Sequence, residues 1–125
     1  MQAFFSRRLS LPVVCAVLIV ILVGNLFYLG TKPIAVNLFP EPWDKLAHAV
    51  TFGAMALLWS GVFEGRRPWL TILIVSLTGA ADEIHQIWLP GRSADVTDLM
   101  ADMAAAGLVV AAMRVYANFT KVQAP

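Results

Sequence analysis

The sequence predicts an all-α protein, an integral membrane four-helix bundle with both termini in the cytoplasm, built as one membrane domain over 1–125. Three observations predict it. The first is composition: 59% of the 125 residues are hydrophobic and 14% are charged, and mean hydropathy is +0.74. Soluble domains run at about 45–50% and about 25%, and a small one buries only about 60–70% of the surface its unfolded chain exposes. Water is therefore the wrong solvent for this chain. The second is that four stretches reach or approach the roughly 20 apolar residues needed to cross a core of about 30 Å. The third is that the stretches are separated by polar breaks rich in proline and glycine. Disorder is excluded by the same apolar content. The net charge of +1 offers no bulk attraction to nucleic acid. The single cysteine, Cys15, excludes an intrachain disulfide framework and a CxxC metal site.

The helices are expected over about 11–30, 46–63, 69–89 and 95–116. The first stretch is apolar apart from Asn25. Arg7 and Arg8 precede it, as in a secretory signal, but it is about twice the length of a signal core and lacks a cleavage-like site. It is expected to remain as a first crossing. The second stretch is interrupted by His48, Thr51 and Ser60; the third ends in Asp82-Glu83-Ile84-His85-Gln86. Strand alternation is absent, so helices fit best. Pro33, Pro40 and Pro42 break the first connection, Gly65 and Pro68 the second, Pro90-Gly91 the third. Ser93 or Asp95 can cap the fourth helix. Trp43, Trp59, Trp69 and Trp88 suit interfacial belts.

Orientation follows from the basic residues. Four crossings put Arg7, Arg8, Arg66, Arg67, Arg114 and Lys121 on one side, and Lys32, Lys45 and Arg92 on the other. The richer side faces the cytoplasm. The expected location is the bacterial inner membrane, with the connections before the second and fourth helices facing outward.

Seven of the eight acidic residues map to that outer end. Asp82 lies 13 residues after Trp69, about 20 Å along a helix, and so falls below the outer surface. A charge at mid-membrane costs about 2.5–3.5 kcal/mol on insertion scales and marks a functional candidate. Asp44 and His48 are one turn apart. Asp95, Asp98 and Asp102 share a face of the fourth helix, and Asp82, Glu83 and Gln86 cluster on the third. These spacings imply a polar pocket between the second, third and fourth helices, with the first as a wall. Plainer readings stand beside this one: Asp95 as a helix cap, Asp44 and Lys45 as interfacial groups, His48 and His85 as interhelical hydrogen-bonding or interfacial groups, and Arg92 as a neutralising charge.

Trp43-Asp44-Lys45-Leu46-Ala47-His48 carries the pattern D-K-x-x-H, and Glu83 to Asp98 carries E-x-x-Q-x-x-x-P-G-R-x5-D. Together, in this order, they resemble the VanZ-like family of small bacterial membrane proteins, named for a teicoplanin-resistance accessory protein. The resemblance covers about 43–107. It sets Asp44, Lys45 and His48 on the first family signature and Glu83, Gln86, Arg92 and Asp98 on the second. Asp102 stands where the family often has asparagine, replacing an amide with an acceptor or acid. The resemblance implies a cell-envelope protein linked to antibiotic resistance. It brings no settled reaction.

Three function classes fit these residues. One is an envelope enzyme or binder acting on a lipid-linked, glycan-related or glycopeptide ligand. Lys45, Arg92 and Asp102 would contact an anionic head group; Asp44, His48, Glu83, Gln86 and Asp98 would form the catalytic set. Glu83 or Asp98, desolvated beside like charge, has the surroundings of a general acid or base, and Asp44 would orient His48. Another is a metal-assisted variant drawing on Asp98, Asp102, Glu83, His48 and His85, although no HExxH-like spacing assigns a metal. The third is a non-enzymatic subunit of an envelope complex, or an oligomeric proton-coupled transporter component. The cofactor stays open. The bilayer, envelope proteins or further copies of the chain are the expected partners.

Overall fold

The structure, a computed structural model, describes residues 10–122. Arg7 and Arg8, which weigh in the expected orientation, lie outside these residues. The described chain is all-helical: α1 Leu11–Gly30, a one-turn 3-10 helix Pro33–Ala35, α2 Trp43–Val62, α3 Pro68–Ile87 and α4 Val96–Val122. No strand occurs among the described residues.

Local chemistry explains where the helices start and stop. Pro12 and Pro68 occupy first-turn positions of α1 and α3, where a missing N–H leaves no hydrogen bond unmade. Helix α2 starts at Trp43, immediately after Pro42, and so takes in the charged Asp44 and Lys45 that hydropathy alone places before it. Helix α3 stops at Ile87; Leu89 N–H then bonds Gln86 O and Arg92 N–H bonds Leu89 O. Gly91 sits in this turn at φ +75°, and a Cβ there would meet Val36 at 3.3 Å. Both facts require glycine. Helix α4 continues past Tyr116 to Val122, because no proline or glycine interrupts Ala117 to Val122. Asp95 Oδ1 caps it, accepting from Thr97 N–H at 2.8 Å and from the Thr97 hydroxyl at 2.7 Å.

Specific contacts give the helix directions. Cys15 Sγ lies over Gly61, so α1 and α2 are antiparallel. His48 meets Asp102, and Gly53 meets Ala105 and Val109, so α2 and α4 run parallel. Gly79 meets Asp102 and Glu83 meets Asp95, so α3 opposes α4. The beginning of α1 and the finish of α4 therefore share one end of the bundle.

Phe52, Met55, Ala56, Val75 and Ala106 form the buried core, with Leu22, Val23, Leu26, Trp59 and Val109 packed around it. Trp59 is thus partly buried and stacks on Phe63 at 5.4 Å, unlike the exposed Trp43, Trp69 and Trp88. Large apolar side chains such as Val20, Leu57, Leu73, Leu77 and Leu108 face outward, while Asp82, Glu83, Gln86, Asp98 and Asp102 are buried. Helices α1 and α4 are long and apolar enough to cross a membrane. Helices α2 and α3 have 20 residues each, about 30 Å of helix, but carry the polar cluster and are less apolar.

Candidate functional site

Three helix ends converge on this cluster: the starts of α2 and α4 and the finish of α3. His48 is its pivot. Its Nδ1 lies 3.0 Å from Asp102 Oδ1 and its Nε2 lies 3.6 Å from Asp98 Oδ2. Phe52 stacks on the ring at 5.9 Å with an interplanar angle of 4°. Both aspartates reach His48 because they are one turn apart on α4. Asp102 is fully buried and lies behind the imidazole. Asp44, one turn before His48, bonds Lys45 rather than the ring. The orienting carboxylate for His48 is therefore Asp102, not Asp44.

Lys45 Nζ sits among four carboxylates: Asp44 at 3.3 Å, Asp98 at 3.4 Å, and Asp95 and Glu41 at 3.6 Å. Its charge is engaged by the protein, which makes it a poor free receptor for an anion. Asp95 lies in the connection before α4. Its carboxyl is held below the ordinary range, first by the Thr97 hydroxyl and then by the Thr97 N–H and Lys45.

Asp82, Glu83 and Gln86 of α3, and Arg92 in the turn after it, are each tied on one side. Gln86 Nε2 donates to Asp82 Oδ2 at 3.0 Å. Glu83 Oε2 accepts from Asp95 N–H at 2.6 Å, joining α3 to the start of α4. Arg92 Nη1 donates to Ala35 O at 2.8 Å, pinning the 3-10 turn over the cluster. Its other donors stay available, since a guanidinium has five. Glu83 Oε1 and Asp102 Oδ2 are buried without a hydrogen-bond partner, whereas the buried Asp98 Oδ1 faces the Lys45 ammonium. One ligand atom each from His48, Asp82 and Glu83 lies within 4.8 Å of the others.

A cavity of about 560 Å³ opens beside the cluster, within the usual range for small-molecule sites. His48, Asp82, Gln86, Arg92 and Asp98 give it a polar end. Leu22, Leu26 and Leu29 of α1, with Leu38 and Phe39, give it an apolar side. Of the residues singled out from sequence, Asp44, His48, Gln86, Arg92 and Asp98 line the cavity, while Lys45, Glu83 and Asp102 adjoin lining residues without lining it themselves. His85 turns away and packs on Phe27 of α1 at 5.2 Å. Asp82, a candidate from its depth in the third helix that received no catalytic or binding role from sequence, also lines the cavity. The lining from α1 and residues 35–40 is likewise missed; Asn25, the polar residue of α1, is its one signal.

Fold and site together define a class: an all-helical protein, with two helices long and apolar enough to cross a membrane, that buries a cluster of carboxylates and exposes many aliphatic side chains. A family model, VanZ/LLP1, matches residues 13–117, a wider span than the two motifs cover. The chain belongs to the VanZ/LLP1 family. No curated protein and no solved structure shows a significant match.

Proposed function

We propose that the chain is a four-crossing protein of the bacterial cytoplasmic membrane, with both termini inside, whose cavity opens outward and receives a lipid-linked, glycan-bearing envelope ligand. The carrying observation is one cavity with two chemistries. Its aliphatic side on α1 suits an acyl or prenyl chain. Its polar end offers carboxylate acceptors for sugar hydroxyls or amines and Arg92 for a phosphate at the rim. The inverted distribution of charge supports the bilayer reading, since lipid tails can cover exposed leucines and valines while buried carboxylates find partners inside the bundle. His48, held by Asp102 and facing Asp98, also has the form of an acid–base group. Chemistry on the ligand is the stronger version of this proposal, and binding alone the weaker.

Photolabelling tests it. Protein in vesicles is exposed to a photoactivatable polyprenyl-phosphate sugar. Labels are expected on Leu26, Leu29 and residues 38–39, and loss of most labelling is expected with Arg92→Gln and Asp98→Asn. Labels spread evenly over all lipid-facing helices, unchanged by both variants, would overturn it. In a Cys15→Ser background, Ser93→Cys should react with an impermeant thiol reagent from outside the cell; reaction only after lysis would reverse the orientation.

A further inference from the structure

We propose that His48, Asp82 and Glu83 hold a divalent transition-metal ion at the polar end of the cavity. The three come from two helices, yet one ligand atom of each lies within 4.8 Å of the others. A tetrahedral zinc-like ion with bonds of about 2.0–2.2 Å holds its ligand atoms about 3.3–3.6 Å apart. Side-chain rotation that closes the set by up to about 1.5 Å makes the site.

Each ligand is already oriented from behind. Asp102 holds His48 Nδ1, leaving Nε2, which faces Asp98 Oδ2 at 3.6 Å, beyond hydrogen-bond distance, as the ring nitrogen for an ion. Gln86 holds one oxygen of Asp82, and the Asp95 N–H holds one oxygen of Glu83. A carboxylate behind a histidine, with each ligand fixed by an outer partner, is the arrangement metal sites use. The second oxygen of Glu83 has no partner, although the residue is only 6% exposed. Such an oxygen is expensive to bury alone. Lys45 pairs with Asp95 and Asp98, and His48 with Asp98 and Asp102, but the ion pairs of the described residues leave Asp82 and Glu83 without a cation. One imidazole with two carboxylates suits zinc or manganese better than magnesium. The inference deepens the ligand reading, because a bound ion supplies the positive charge a phosphate needs in an acidic cavity.

Full-length protein in detergent micelles, stripped with EDTA and dialysed, is titrated with Zn²⁺ alone by calorimetry and with Mn²⁺ alone by electron paramagnetic resonance. One ion per chain is expected. His48→Gln and Asp82→Asn should each abolish stoichiometric binding. Asp102→Ala, which leaves all three ligands in place, should weaken it about 10–100-fold. A measurement on wild-type protein removes dependence on variant folding: Zn²⁺ should protect His48 from diethyl pyrocarbonate while leaving His85 reactive. Absence of a stoichiometric ion, unchanged affinity in His48→Gln, or equal protection of both histidines overturns the site. Photolabelling of stripped protein separates the two proposals: labels kept on α1 without any metal binding would sink the ion and leave the ligand reading standing.

Discussion

Gly79→Ala should be destabilising, although glycine to alanine inside a helix ordinarily gains about 0.8–1 kcal/mol. The reason is Asp102. A Cβ on Gly79 would stand 2.7 Å from Asp102 Oδ2, with ordinary contact beginning near 3.4 Å. The shortfall of 0.7 Å must be taken up by an aspartate that is fully buried and bonded to His48. Overpacking of this kind costs about 1–3 kcal/mol, so the net effect in the wild type lies between about zero and 2 kcal/mol of destabilisation. Removing the carboxylate removes the conflict: in an Asp102→Ala background the alanine at 79 should regain its ordinary helix preference. Leu99 Cδ1, at 3.2 Å, is the end of a flexible side chain and can give way. A double-mutant cycle should therefore return a coupling of about 1–3 kcal/mol, read by reversible unfolding in mixed detergent and dodecyl sulfate micelles. A coupling below about 0.5 kcal/mol, the range of independent sites, would mean that α3 and α4 do not meet through Gly79 and Asp102.

Three further outcomes follow from the same contacts. Glu83 and Arg92 brace different connections, one to Asp95 N–H and the other to Ala35 O, so the stability effects of Glu83→Ala and Arg92→Ala should add within about 0.5 kcal/mol; a larger coupling would indicate a shared network. Arg92→Ala should also speed amide hydrogen exchange in residues 33–38 without altering α4, and unchanged protection there would remove the brace. Asp95→Ala should cost about 0.5–2 kcal/mol through the lost cap. The folded-state pKa of Asp95 lies below its ordinary value, so the stabilisation is present above the unfolded pKa and is lost as pH falls through the folded one; an acid-side stability slope identical in wild type and Asp95→Asn would contradict the role of its charge.

Helical spacing made much of the cluster legible. Asp95, Asp98 and Asp102 had to share a face of any helix that contained them, and the third polar run had to end near the same level. Spacing along one helix does not reveal partners across helices. It paired His48 with Asp44, four residues away, whereas the ring reaches across to α4. That choice depends on the parallel register of α2 and α4 and on Gly79 leaving room for Asp102, neither of which is a property of a single segment. The same limit applied to the first helix. Its apolar run read as a wall, and its part in the cavity appears only when Arg92 pins residues 33–35 over the polar end. Because α1 carries no charge, its leucines give that side of the cavity an apolar lining.

The polar groups of this bundle are half satisfied in a consistent way. Glu83 and Asp102 each give one oxygen to a protein partner, while the other is buried without a hydrogen bond; Asp98 faces His48 with one oxygen and Lys45 with the other. A purely structural cluster would be expected to pair both oxygens, because an unpaired buried acceptor costs about 1–3 kcal/mol, more if charged, and a half-satisfied network is worse than an apolar core. Replacement by apolar residues of similar size is often neutral or stabilising for buried ion pairs, so stability alone gives no reason to keep two such groups. What the arrangement does provide is rigidity with spare valence: one oxygen of Glu83 and one of Asp102 fix the side chains, and the second oxygen of each has no hydrogen-bond partner. Under the proposed readings, a donor-rich head group or a cation that reached the second oxygen of Glu83 would recover that interaction.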